Sequence, residues 1–162
     1  MATRILHESA YDGPPAAVRA MLTDQAFREE VCEFIRVIRH RVSVEPIGSA
    51  TRVVIEQHQP ATGIPSFAKK FVSDEIEIVQ TEDWTSATHA DVHVEIPGRP
   101  GHMTGIVDLR EEDGGTVEVI DMTIKVHLPL VGGKIESLIG EMLVKALKAE
   151  HKVGRDYLTR QG

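Results

Sequence analysis

The chain has 162 residues, 41% of them hydrophobic, 27% charged and only 4% aromatic, with a formal net charge of −7. That length builds one domain with a sizeable core, spanning residues 1–162, rather than two. An acidic, aromatic-poor chain lacks the basic surface and stacking rings that nucleic-acid binding uses, and no apolar run reaches the ~20 residues of a membrane span.

The first segment, Arg4 to Tyr11, alternates as a strand and stops at Asp12-Gly13-Pro14-Pro15. Proline in a first helical turn loses no needed hydrogen bond, so a short helix follows from Pro15 to about Leu22. Thr23 or Asp24 can cap a second helix running to about Arg36, with Phe27, Val31, Phe34, Ile35 and Ile38 at helical spacing. Cys32, the single cysteine, lies in this run. It excludes an internal disulfide and a multi-cysteine zinc site, and it reads as a buried, inert thiol.

The period then changes from 3.6 to 2. His40 to Glu45 alternates, Pro46-Ile47-Gly48-Ser49 reads as a turn, and Thr51 to Gln59 is rich in β-branched residues. Ala61 to Pro65 breaks that strand, and Phe67 to Phe71 reads as a helical turn. Strands are expected from about Val72 to Glu82, Ala87 to Ile96, Met103 to Glu111 and Thr116 to Leu128. Pro97 to Gly101 is a turn, and Glu112-Asp113-Gly114-Gly115 is a hairpin signal. After Pro129 a long helix runs from about Val131 to Leu158. Ile135, Leu138, Ile139, Met142, Ala146, Ala149, Val153 and Tyr157 fall on one face, and Glu136, Lys145, Lys148 and Lys152 on the other.

One strand, two short helices, six strands and a long helix make an α+β chain. Short turns between strands imply an antiparallel meander, and one amphipathic helix must cover one apolar face of it. The gap between a curved sheet and that helix is where a ligand would bind.

The same order is that of the helix-grip fold of the START-like (SRPBCC) superfamily, which includes lipid-transfer domains and birch-pollen-allergen-like proteins. Three stretches sharpen the resemblance: residues 60–72 (Pro60-Ala61-Thr62-Gly63-Ile64-Pro65-Ser66-Phe67 onward), Ile96-Pro97-Gly98-Arg99-Pro100-Gly101, and residues 128–136 (Leu128-Pro129-Leu130-Val131-Gly132-Gly133-Lys134 onward). In these the chain resembles an uncharacterised bacterial family, domain of unknown function 2505, over nearly its whole length. The resemblance implies a curved sheet of about seven strands with a long C-terminal helix on its concave face, and a hydrophobic cavity. It brings no catalytic residues and no cofactor.

Gly132-Gly133-Lys134 opens a helix as a phosphate loop does, but Leu128 and Ile135 stand where the motif needs Gly and Ser/Thr. The expectation is a tight strand-to-helix turn. His89, Asp91, His93 and Glu95 share one strand face, with chemistry suited to a metal. The opposite face carries Ala90, Val92, Val94 and Ile96, so the polar set is expected in solvent and no metal site is assigned. Gln57, Gln59, His40, Lys125, His127 and His7 are the interior polar candidates, and most carboxylates are expected at turns and outer faces. Gly63, Pro65, Phe67 and Phe71 form a possible lid, with Lys69 and Lys70 between the rings. Trp84 reads as a packing residue.

The first functional expectation is therefore a cytoplasmic protein that binds a small aliphatic molecule or lipid between sheet and helix. Its lining candidates are Ile55, Gln57, Val92, Val94, Ile124, Val126, Ile139 and Met142. Two others stand beside it: a cyclase- or hydratase-like enzyme in the same cavity, and a structural or interaction domain with a collapsed cavity. No GxSxG, HExxH or GxGxxG motif supports a specific reaction.

Overall fold

A computed structural model describes residues 2–161. In chain order the elements are β1 (Thr3–Tyr11), α1 (Pro15–Leu22), α2 (Gln25–Phe34), β2 (Arg39–Ile47), β3 (Ala50–Pro60), α3 (Ser66–Lys69), β4 (Glu75–Trp84), β5 (His89–Glu95), β6 (Gly101–Glu112), β7 (Gly115–Val126) and α4 (Gly132–Gln161). All seven strands join one antiparallel sheet in the order β1-β7-β6-β5-β4-β3-β2. The first strand closes against the last, so β1 and β2 lie at opposite edges, and α1 and α2 carry the chain between them. The sheet is curved around α4, the helix-grip arrangement.

Local chemistry accounts for the boundaries. Asp24 caps α2, its carboxylate accepting from the Ala26 N–H at 3.1 Å. The helix stops at Phe34, two residues before the expected end, and Arg36 turns the chain in the left-handed region. Strand β2 runs through Pro46 and Ile47, which the sequence placed in a turn; the turn itself is Gly48-Ser49. Proline is tolerated there because β2 is an edge strand. Asp113 and Gly114, both at positive φ, make the two-residue β6–β7 hairpin. At Gly132 a Cβ would lie 2.9 Å from the Val126 carbonyl oxygen, so this glycine permits the tight turn into α4.

Alternation along each strand fixes which side chains meet the helices. On β7, Thr116, Glu118, Ile120, Met122, Ile124 and Val126 point inward, and Val117, Val119, Lys125 and His127 have the opposite parity. Lys125 and His127 are thus not interior groups, contrary to the expectation. His127 is exposed and stacks on His102, which stacks in turn on His93. The main core packs Phe27, Met21, Leu22, Val18, Trp84 and Met122 between sheet and helices. A second cluster joins Ile64 and Ala68 to Ile76, Leu138 and Met142, and pins α3 between the sheet and the first half of α4.

One residue of α4 departs from its expected face. Glu136 is 2% exposed and faces the sheet, not solvent. It accepts from the Thr3 hydroxyl at 2.9 Å and the Val126 N–H at 3.0 Å. Burial pushes its carboxyl up, but these bonds and the Lys125 charge outweigh that and hold it below its usual range. The carboxylate ties the start of α4 to β1 and β7 and satisfies a buried backbone donor.

Candidate functional site

Strand parity and one helix face bring four charged groups to the middle of the interior. On β4, Gln80 and Glu82 share parity with Ile76, Ile78 and Trp84. On β7, Glu118 shares parity with Ile120 and Met122. Arg28 lies one turn before Val31 and Cys32 on α2, and Glu150 follows Leu143 and Leu147 along α4. Together with apolar side chains, these groups surround a cavity of about 90 Å³. Among its lining residues Ala146 is exposed and Ile35 half-buried, which brings the cavity near the surface beside the end of α2 and the middle of α4.

Arg28 is the hub of this cluster. Its Nη2 donates to Glu82 Oε1 at 2.6 Å, its Nη1 to Glu150 Oε2 at 3.4 Å, and its Nε to the Leu22 carbonyl at 2.7 Å. Glu82 also accepts from Trp84 Nε1 at 3.0 Å and from Gln80 Nε2 at 2.5 Å. Three donors on its two oxygens make Glu82 the carboxylate that Arg28 neutralises. Glu118 differs. It is 3% exposed, lines the cavity, and makes no hydrogen bond or ion pair among the described residues.

Burial raises the Glu118 carboxyl well above its ordinary 4.5. The nearby Glu150 and Glu82 charges raise it further, against the pull of Arg28. Glu150 is raised for the same reason, burial first, with Arg28 opposing and Glu82 reinforcing. Burial likewise pushes the Tyr11 hydroxyl up, as do Glu118 and Glu150. It takes the Cys32 thiol to about 11, in keeping with an inert cysteine.

These shifts predict a pH effect on stability. Above about pH 4.5 the unfolded chain releases the Glu118 proton, while the folded protein retains it until its raised value is passed. Over that interval the folded state binds more protons, so this contribution to stability is complete below about pH 4.5 and declines as pH rises. Urea denaturation from about pH 5 to about pH 9 should show wild-type stability falling more steeply than that of Glu118→Gln. Parallel profiles would refute the raised Glu118 value.

Of the eight lining candidates, Ile55, Gln57, Val92 and Val94 border the cavity. Ile124 and Val126 are buried further along β7, near the start of α4; Ile124 lies beside Gly140. Ile139 is half-buried on α4, and Met142 packs in the α3 cluster. Among the lid candidates, Gly63, Pro65, Phe67 and Phe71 do not border the cavity, and α3 covers the adjoining stretch of the interface instead. His40 is half-buried opposite Gln57, and Gln57 accepts from Gln59 at 2.9 Å. His7 faces inward on β1, and its pKa is lowered by burial, with Lys148 and His151 adding to it.

Sequence reasoning missed Arg28, Gln80, Glu82, Glu118 and Glu150. Their signal was present: each has the parity or helical phase of buried apolar neighbours. His89, Asp91, His93 and Glu95 occupy the outer face, where His89 bonds Asp108 at 2.6 Å and Asp91 at 3.2 Å. No group of three or more His, Cys, Asp or Glu placed to hold a metal occurs among the described residues. No helix among them is long and apolar enough to cross a membrane.

Comparison with known proteins adds a family and a fold. Residues 7–158 match the model of a protein family of unknown function, DUF2505. No curated protein matches the sequence. Among solved structures, the chain is similar to TTHA0849 from Thermus thermophilus, with 16% identity, 99% of each chain covered and a TM-score of 0.69. It is similar to the Zhui aromatase/cyclase from Streptomyces sp. R1128, with 12% identity, 99% and 96% coverage and a TM-score of 0.72. It is also similar to Ara h 8.0201, with 13% identity, 95% and 98% coverage and a TM-score of 0.65. At such identities the likeness establishes the fold alone.

Proposed function

We propose that this chain, which belongs to the DUF2505 family of proteins of unknown function, binds a small molecule with an aliphatic body and a polar end in the cavity between sheet and α4. The single observation that carries this reading is the mixed lining of the cavity. It combines the apolar Ile55, Val92, Val94, Met122, Leu143 and Leu147 with the Arg28–Glu82 pair, Glu118 and Glu150. Ligand sites have this composition: apolar burial supplies affinity and a few polar groups set orientation. A cavity of about 90 Å³ takes a body of a few heavy atoms. It is smaller than an engineered cavity of about 150 Å³ that holds benzene. A long acyl chain exceeds this volume.

The test uses propan-1-ol as a probe and methyl NMR of Val92, Val94 and Leu143 as the reading. Saturable shifts confined to these cavity methyls are expected, with a Kd of about millimolar for four heavy atoms. Ala146→Phe, at an exposed position of the cavity lining, should weaken them, because an exposed helical position takes a large side chain with little loss of stability. Shifts spread over the surface, or none, would reject the reading. Native mass spectrometry of the protein from its own host would then search for a physiological ligand.

A further inference from the structure

The cavity holds three carboxyl groups and one guanidinium. Arg28 and Glu82 form a closed pair, completed by Trp84 and Gln80. Glu150 touches Arg28 only at 3.4 Å, and one of its oxygens accepts nothing among the described residues. Glu118 has no hydrogen-bonding partner at all among them, though it is nearly fully buried and borders the open space. The structure therefore carries more acid than it pairs, at one spot, facing a void. A buried polar group without a partner is destabilising, and such groups are concentrated at functional sites.

We propose that the cavity is a site for a small organic cation, an alkylammonium with a short aliphatic body, whose charged end lies against Glu118 and Glu150. This rests on the ligand-binding reading above and names the class of ligand. Charge balance selects this class of ligand. An anion entering the cavity would meet three carboxyl groups, and a neutral alcohol would bring no charge that lets a second one ionise. An ammonium supplies the positive charge that a second carboxylate needs. Its arrival lets one acid ionise, so the cation replaces a proton and the net charge of the site is conserved. The ammonium donates N–H bonds to the carboxylate oxygens, and the released proton leaves to solvent. Groups facing Glu118 come from every neighbouring element: Arg28 from α2, Glu82 from β4, Glu150 from α4 and the unpartnered Tyr11 hydroxyl from β1. Apart from Arg28, none of these is a base that would compete for the role of cation.

The experiment compares n-propylammonium, propan-1-ol and propionate on the full chain, by methyl NMR and calorimetry. The ammonium stays charged at about pH 6 to 8, since alkylamines titrate near lysine, at about 10.4. Its affinity should exceed that of propan-1-ol and rise at least tenfold from about pH 6 to about pH 8, because binding displaces a proton. Propan-1-ol should bind with no such slope. Calorimetry of the wild-type protein in two buffers of different ionisation enthalpy should report release of up to one proton on ammonium binding. Glu118→Gln should remove the slope and bring the ammonium down to the level of the alcohol, with Glu150→Gln as a second variant. Equal binding of ammonium and alcohol without proton release would overturn this inference and leave the cavity reading intact. If none of the three probes binds, both fail.

Discussion

Arg28→Met is expected to remove about 3–5 kcal/mol of stability, the usual loss when one partner of a buried ion pair is deleted. Methionine keeps the length and apolar stem, so the change isolates the charge. What remains is Glu82, 4% exposed, with its strongest donor gone and Trp84 and Gln80 left to satisfy it. The Leu22 carbonyl also loses its partner. With total stabilities of about 5–15 kcal/mol for such domains, the variant approaches its unfolding threshold. Combining it with Glu82→Gln should restore part of the loss, because the uncompensated charge is then removed as well. Urea denaturation of the two single variants and the double variant reads this directly. A loss below about 1 kcal/mol for Arg28→Met would show that the pair is not closed to water.

Trp84→Ala should be of similar size, about 3–5 kcal/mol. Trp84 is 1% exposed and the largest of the fully buried side chains. It closes the end of β4, with the Arg19 guanidinium over its ring at 5.4 Å and its Nε1 bonded to Glu82. Trp84→Phe separates the two contributions. It keeps most of the packing and removes the donor, so it should lose about 1–3 kcal/mol. Arg28→Met and Trp84→Phe act on the same carboxylate, and their effects should not add. Strict additivity in the double variant would mean that Glu82 does not couple them.

Both expectations concern residues that a reading of the chain ranked low or passed over. Trp84 reads as a packing residue from a turn after Glu82-Asp83; the structure extends β4 to include it on the apolar parity. Arg28 was not singled out, since a charge on an amphipathic helix next to Phe27 ordinarily lies at the polar boundary. Glu118 and Glu82 kept the inward parity of their strands. The general rule that carboxylates belong at turns and outer faces overrode that parity. Glu136 failed for a related reason: helical phase places it beside the apolar stripe, and only the buried Val126 N–H and the Thr3 hydroxyl make the inward rotamer favourable. Gln57 borders the cavity because it shares the inward parity of Val53 and Ile55.

Local periodicity, turn chemistry and capping are properties of neighbouring residues, so the element order is legible along the chain. So are the meander, the long amphipathic helix, and the outward placement of His89, Asp91, His93 and Glu95. Those interactions act over a few residues and carry their own signal. The tertiary structure alone decided the pairing of β1 with β7, the closure of α3 against Leu138 and Met142, and the meeting of Arg28, Glu82, Glu118 and Glu150. That meeting joins groups on α2, β4, β7 and α4, as far as 122 residues apart along the chain. Burial there shifts the acids and leaves one without a partner, through long-range desolvation and charge repulsion that no local pattern encodes.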